Sequence, residues 1–130
     1  MYKYKATGKV RYGRHQKDGG EGWVVLDCPY DIVYYYNKVA QWLLWNNHIT
    51  IPMHGSHITV IAGKYDEVDY DTWGYRDGEE IEFSYGATQN GGNYYWLPVE
   101  CVGAEDIRTF YGLEPTPLYQ YHLTVGYNNQ

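Results

Sequence analysis

The chain has 130 residues and a formal net charge of −6, with 10 lysine and arginine residues against 16 aspartate and glutamate residues. This length fits one domain with a single core, and the acidic balance argues against a protein that follows long RNA or DNA. Two cysteines are too few for a disulfide framework, and the first residues lack the apolar segment of a signal peptide. We expect a cytoplasmic monomer with no cofactor and no membrane partner.

Strands flank one helix in the first half of the chain. Strands are predicted over residues 2–13 and 22–29, separated by the polar, glycine-rich loop "RYGRHQKDGGEG". A helix is predicted over 31–47, with Asp31 as its N-cap. A further strand is predicted over 54–63. The predicted apolar stripe of the helix consists of Ile32, Tyr36, Val39, Ala40, Leu43 and Leu44.

The second half repeats this order. Residues 64–78 are acidic, aromatic and interrupted by glycine, which predicts an exposed excursion that acts as a lid. A hairpin is predicted over 79–102, with its turn at "ATQNGG". A short helix over 104–111 is expected to end at Gly112, and a last strand covers 121–127. The sequence is rich in tyrosine, with 17 residues, which suits a half-buried sheet and also suits stacking on bases.

A tetrapeptide occurs once in each half, at the start of a predicted strand. The first copy is His57-Ile58-Thr59-Val60 and the second is His122-Leu123-Thr124-Val125. Side chains alternate along a strand, so the histidine and threonine of each copy share one face, about 6 to 7 Å apart. If both faces line one groove, two imidazoles and two hydroxyls converge on one space.

That group of side chains suits the chemistry of a phosphodiester. One neutral imidazole can take a proton from an attacking hydroxyl while a protonated one donates to the leaving oxygen. The hydroxyls can donate to the non-bridging oxygens. A metal site that uses His54 and His57 with His48 or His122 is disfavoured, because residues three apart on a strand point to opposite faces and open metal sites need a set of convergent ligands.

The two motifs resemble those of the 2H phosphoesterase superfamily, and the run "TFYGLEPTPLYQYHLTVGY" is similar to the phage anti-CBASS cyclic-oligonucleotide hydrolases. The resemblance implies a two-lobed, internally duplicated α+β fold, with antiparallel sheets around a central groove, flanking helices and strands exchanged between the lobes. It also implies His57 and His122 as the acid and base, Thr59 and Thr124 as phosphate-binding residues, and a reaction that needs no metal.

Five further residues are candidates for contact with the substrate. Tyr12 and Trp73 occupy regions comparable to those whose aromatic residues hold the bases in the anti-CBASS group. Arg14 and Lys64 could steer phosphate, and Tyr127 lies just beyond the second motif.

We therefore expect a phosphodiesterase that hydrolyses cyclic di- or trinucleotide messengers and blunts the nucleotide-based defence of a bacterial host. An RNA 2′,3′-cyclic phosphodiesterase would use the same groove. From other classes, a nucleotide sponge or a structural phage component remains open.

Overall fold

The computed structural model of the chain describes residues 2–13, 22–44, 49–52, 55–63 and 70–128. Its helices and strands are β1 (Tyr4–Tyr12), β2 (Gly22–Asp27), α1 (Tyr30–Leu44), β3 (Ile49–Thr50), β4 (His57–Gly63), β5 (Glu80–Tyr85), β6 (Gln89–Asn90), β7 (Tyr94–Glu100), α2 (Val102–Phe110) and β8 (His122–Asn128). Each predicted strand and helix is confirmed, with its ends shifted by at most three residues. The helix N-cap is the exception, since Asp31 lies inside the first turn of α1.

The fold is mostly β, and six antiparallel strands close into a barrel. The order around the ring is β8, β4, β2, β1, β5 and β7, and β7 pairs again with β8. The predicted two-lobed α+β fold is therefore wrong. The physical reason is that β1 pairs with β5 and β4 pairs with β8, so strands from both halves of the chain share one closed sheet. Closure leaves few unpaired strand edges, with the two-residue strands β3 and β6 added at its margins.

The strands of the barrel are joined unevenly. β1 pairs with β5 over residues 4–9 and with β2 over residues 9–12, and β7 pairs with β8 over residues 94–98. In contrast, the register of β4 and β8 contains the single pair Ile58 and Leu123, and β5 meets β7 at two pairs. The ring thus has two narrow seams.

The barrel and its helices enclose one core. Alternate residues of each strand enter it because successive side chains point to opposite faces. Its largest fully buried side chains are Phe83, Leu26, Ile58, Ile61, Leu97, Ile107, Leu123, Val10, Val24, Val33, Val60 and Val99.

Each helix packs one face against the barrel, and that buried face contains one polar residue. In α1 the buried stripe is Val33, Asn37 and Ala40, whereas Leu43 is 61% exposed. The predicted stripe is confirmed at Ala40, and at Ile32 and Tyr36, which pack partly buried against the core. It is wrong at Leu43 and omits Val33 and Asn37, so the buried face is rotated relative to the prediction. In α2 the buried residues are Ala104, Ile107 and Arg108.

Helix α2 ends as predicted at Gly112. This residue has a φ of 79°, a left-handed conformation that favours glycine. Its N–H donates to the carbonyl of Thr109, and the N–H of Leu113 donates to the carbonyl of Arg108, both at 3.0 Å. The pair forms a Schellman motif, which closes the last turn.

The predicted lid falls partly outside the described residues, which resume at Tyr70. From there to Gly78 the excursion is bonded to the body of the protein. Trp73 Nε1 donates to the carbonyl of Gly13 at 2.9 Å. The N–H of Gly78 donates to the carbonyl of Val10 at 2.8 Å. The described part of the excursion is therefore fastened to β1.

Tyr36 is expected to make the fold sensitive to alkali. Its ring lies 5.9 Å from that of Tyr85, and burial, together with a hydrogen bond to Tyr85, raises the pKa of Tyr36 from 10.0 to about 12. Because the folded pKa is the higher one, this stabilisation is complete below pH 10 and is lost as the pH rises towards 12. In urea unfolding across this range, the wild type should lose stability more steeply than Tyr36→Phe.

The control is Tyr34→Phe, which changes an exposed tyrosine of the same helix and should keep the steepness of the wild type. Parallel curves for Tyr36→Phe and the wild type would contradict the prediction.

Candidate functional site

The two motif strands are neighbours in the barrel. β4 and β8 run antiparallel, with Ile58 opposite Leu123, and both of these side chains are fully buried. Since side chains alternate along a strand, the histidine and threonine of each motif project from the other face. Continuing the register by one residue in each direction sets His57 opposite Thr124 and Thr59 opposite His122. The four residues form one patch, which we call the motif patch.

The spacing within the motif patch follows from this register. Residues directly opposite each other on antiparallel strands have Cβ atoms about 4.5 to 5.5 Å apart, and diagonal neighbours lie about 7 to 8 Å apart. The two histidines are diagonal neighbours, as are the two threonines. A group the size of a phosphate fits between the imidazoles, with a hydroxyl on either side.

The surroundings of the two motifs repeat as well. β4 and β8 have the same order of buried and half-exposed positions. The register of β2 with β4 shifts by one residue at Val60, and the register of β7 with β8 shifts by one residue at Val125. Each motif therefore ends in a β-bulge, and the halves are related by an approximate two-fold axis through the pair Ile58 and Leu123.

The two bulges are held by the buried polar residues of the helices. Asn37 Nδ2 donates to the carbonyl of Val125 at 3.0 Å, and Arg108 Nη1 donates to the carbonyl of Val60 at 2.9 Å. Their side chains are 0% and 6% exposed, and they are the buried polar residues of the described chain. A bulge leaves a backbone group without its partner in the neighbouring strand. We call these two hydrogen bonds the bulge clamps.

Removing a bulge clamp should destabilise the protein. Asn37→Ala and Arg108→Met each leave a buried carbonyl without its donor, at a cost of about 1 to 3 kcal/mol per carbonyl. Arg108→Met should be the more damaging, because Arg108 Nε also donates to the carbonyl of Glu114 at 2.6 Å. Urea unfolding measures both changes.

The control is Lys38→Ala, the exposed neighbour of Asn37 on α1, which should shift the free energy of unfolding by no more than about 0.5 kcal/mol. A clamp variant as stable as this control would show that the bulges hold their shape without the helices.

One histidine of the motif patch has a defined tautomer. His122 Nδ1 lies 2.8 Å from the carbonyl of Gln120. A carbonyl only accepts hydrogen bonds, so Nδ1 carries the proton. The neutral ring then has its lone pair on Nε2, which makes Nε2 the basic atom of His122.

A pocket of about 420 Å³ opens beside His57, lined by Arg11, Trp23, Val25 and His57. The guanidinium of Arg11 lies 4.9 Å from the ring centroid of Trp23. It also donates to both carboxylate oxygens of Asp27, at 2.6 and 3.0 Å. The hydrogen bond to Asp27 raises the pKa of Arg11, so that its charge is retained. Arg11 thus offers a fixed cation at the edge of the motif patch.

Arg11 and Trp23 were missed in the sequence analysis, although the signal was present. Val10 and Val24 enter the core. Their neighbours Arg11 and Trp23 must therefore face outwards with the motif residues.

Tyr12 and Trp73, predicted to contact bases, lie away from the motif patch. Tyr12 is opposite Val24 in the register, which places its side chain on the core side of β1. Burial raises the pKa of Tyr12, and its ring lies 5.2 Å from that of Trp73. Trp73 in turn lies 5.2 Å from the ring of Tyr111. The three rings form a cluster that joins β1, the excursion and the end of α2.

The other predicted contacts have mixed outcomes. Tyr127 is 46% exposed. It lies opposite Tyr94, three residues after Thr124 and past the bulge at Val125. Arg14 and Lys64 lie outside the described residues, as do two histidines of the alternative metal site, His48 and His54. In the part of the chain that the structure describes, no three histidine, cysteine or acidic residues are grouped so that they could hold a metal ion.

Comparisons with protein-family models, with curated proteins and with solved structures found no match to this chain. The resemblance of its motifs to those of the 2H phosphoesterases thus stands on the residues themselves. Within the described ranges, neither helix has both the length and the apolar character that crossing a membrane requires.

Proposed function

We propose that the protein is a metal-independent phosphodiesterase that hydrolyses cyclic oligonucleotide messengers in the cytoplasm. The observation that supports this proposal is the motif patch, because the β4 and β8 register brings two imidazoles and two hydroxyls to one face. An acid, a base and two hydrogen-bond donors around one space are what an in-line displacement at phosphorus uses.

The reaction divides the work between the two halves of the motif patch. Nε2 of neutral His122 takes a proton from the attacking water, whose oxygen forms the new bond to phosphorus. Protonated His57 gives its proton to the oxygen that leaves, so the ester bond breaks without releasing an alkoxide. The products are a phosphate monoester and a free hydroxyl. Proton exchange with solvent then returns the two histidines to their starting states.

The threonines stabilise the charge that develops between these events. Thr59 and Thr124 lie on the diagonal that crosses the one between the histidines, so their hydroxyls approach the phosphate from its other two sides. Each can donate to a non-bridging oxygen, where negative charge increases in the transition state.

The charge distribution favours a small anionic substrate. The net charge of −6 repels a long polyanion, whereas Arg11, held by its ion pair with Asp27, brings guanidinium N–H groups beside His57. A cyclic oligonucleotide presents few phosphates and fits such a local site. Hydrolysis of such a messenger would serve a phage that evades a nucleotide-based host defence.

The histidines and threonines should differ in how much activity they carry. His57→Ala and His122→Ala should each lower kcat/KM about 10³-fold, because each removes a general acid or base. Thr59→Val and Thr124→Val should each lower it about 10²-fold, the loss expected for one donor to the transition state. Product formation is followed by chromatography with cyclic di- and trinucleotides and, in parallel, with a short RNA that ends in a 2′,3′-cyclic phosphate.

Thr7→Val is the matched control, since Thr7 is an exposed threonine on strand β1, and it should keep the activity of the wild type. Full activity in a folded His57→Ala or His122→Ala variant would contradict the mechanism. Turnover of the RNA end alone would make the protein an RNA-processing enzyme. Tight binding with recovery of intact ligand would make it a sponge.

A further inference from the structure

We infer that the substrate carries a nucleobase on each side of the scissile phosphodiester, and that two aromatic platforms bind these bases. The first platform is Trp23 with Arg11, and the second is Tyr94 with Trp96. This inference rests on the proposed function, because it takes the motif patch as the position of the phosphate. It adds the residues that bind the two bases, and it favours a linkage between two nucleosides over the one-base RNA end.

The first platform lies on the outer side of the first motif. Trp23 is opposite Ala62 on β4, just past the bulge, and Val25 is opposite Thr59. The Trp23 ring leans over the backbone of Gly13, where an added Cβ would lie 1.8 Å from the ring. The guanidinium of Arg11 lies over this ring, 4.9 Å from its centroid, and both residues line the 420 Å³ pocket that reaches His57. Aromatic rings and guanidinium planes both serve as stacking surfaces for bases, so this pocket wall can bind one.

The second platform lies on the outer side of the second motif. Trp96 is opposite Thr124, and Tyr94 is opposite Tyr127. The rings of Tyr94 and Trp96 are 5.0 Å apart and inclined by 31°. Both lean over the backbone of Gly91, where an added Cβ would lie 2.8 Å from Trp96 and 3.0 Å from Tyr94. These two rings and the exposed Tyr127 lie on the same face of the sheet as the motif residues.

The approximate two-fold axis relates the two platforms. Tyr94 corresponds to Trp23, since each stands opposite the third residue after a motif threonine. Neighbouring strands are about 4.8 Å apart, so β2 and β7 are separated by about 14 Å, with the motif patch between them. A phosphodiester at the motif patch therefore has an aromatic surface on either side.

This arrangement separates the two enzymatic readings of the motifs. A 2′,3′-cyclic phosphate at the end of a nucleoside carries one base and engages one platform. A 3′,5′ linkage between two nucleosides, whether linear or part of a small ring, engages both.

The test compares a two-base with a one-base substrate. The two-base substrate is uridylyl-(3′,5′)-adenosine and the one-base substrate is uridine 2′,3′-cyclic phosphate. Trp23→Leu and Trp96→Leu keep an apolar side chain for packing but remove the aromatic face. Each should raise KM for the two-base substrate at least fivefold, the lower range for the loss of one stacked base, with kcat within threefold of wild type. For the one-base substrate, one variant should raise KM and the other should not.

The matched control is Trp42→Leu, because Trp42 is 75% exposed on α1, and its KM values should equal those of the wild type. An unchanged KM for the two-base substrate in both platform variants would overturn the inference while the proposed function stands. Equal increases in both variants for the one-base substrate would also overturn it, since one base would then be using both surfaces.

Binding is measured separately, so that failure of the proposed function is distinguishable. Calorimetric titration of uridylyl-(3′,5′)-adenosine into His57→Ala, alone and combined with each platform change, gives Kd without turnover. If the wild type cleaves neither substrate but His57→Ala binds this ligand, the proposed function fails, and a fivefold or greater increase in Kd with each platform change supports the platforms. An unchanged Kd, or no binding to His57→Ala, overturns them.

Discussion

The arrangement of the motif patch depends on two hydrogen bonds that the helices donate to the sheet from its core side. Asn37 and Arg108 are polar residues on otherwise apolar helix faces, and each donates to the carbonyl of a bulged valine. A bulge shifts the alternation of side chains along a strand by one residue. Without it, the residues past each motif would change faces. The clamps therefore determine which side chains accompany the histidines and threonines on the outer surface.

The clamps also tie the helices to the barrel in a crossed manner. The helix that precedes the first motif, α1, holds the bulge of the second motif, and α2 holds the bulge of the first. The bulge of each motif strand is therefore held by the helix of the other half of the chain. The ring consists of three consecutive strands from each half, β1, β2 and β4 from the first and β5, β7 and β8 from the second. The crossed clamps tie each set of strands to the helix of the other half.

Local features of this fold could be predicted from the sequence because they depend on neighbouring residues. Alternation located the strands, and Gly112 located the end of α2. Closure of the barrel could not be predicted, because the pairings of β1 with β5 and of β4 with β8 join residues far apart in sequence. The rotation of α1 was missed for a related reason: Asn37 reads as a solvent-facing residue until its partner on β8 is known. The convergence of the motifs followed from their duplication, whereas Arg11 required the face of each strand to be assigned.

The narrow seams of the barrel have a dynamic consequence. One pair of residues, Ile58 and Leu123, joins β4 to β8 at the centre of the motif patch. Two pairs of residues join β5 to β7 at the other seam. Local opening follows the places where a structure has fewest hydrogen bonds, so amide exchange in the native state would begin at these seams. Such an opening would change the separation of the two histidines while leaving each motif strand paired to its outer neighbour. The separation of the two motif histidines is therefore a distance that fluctuates as this seam opens and closes.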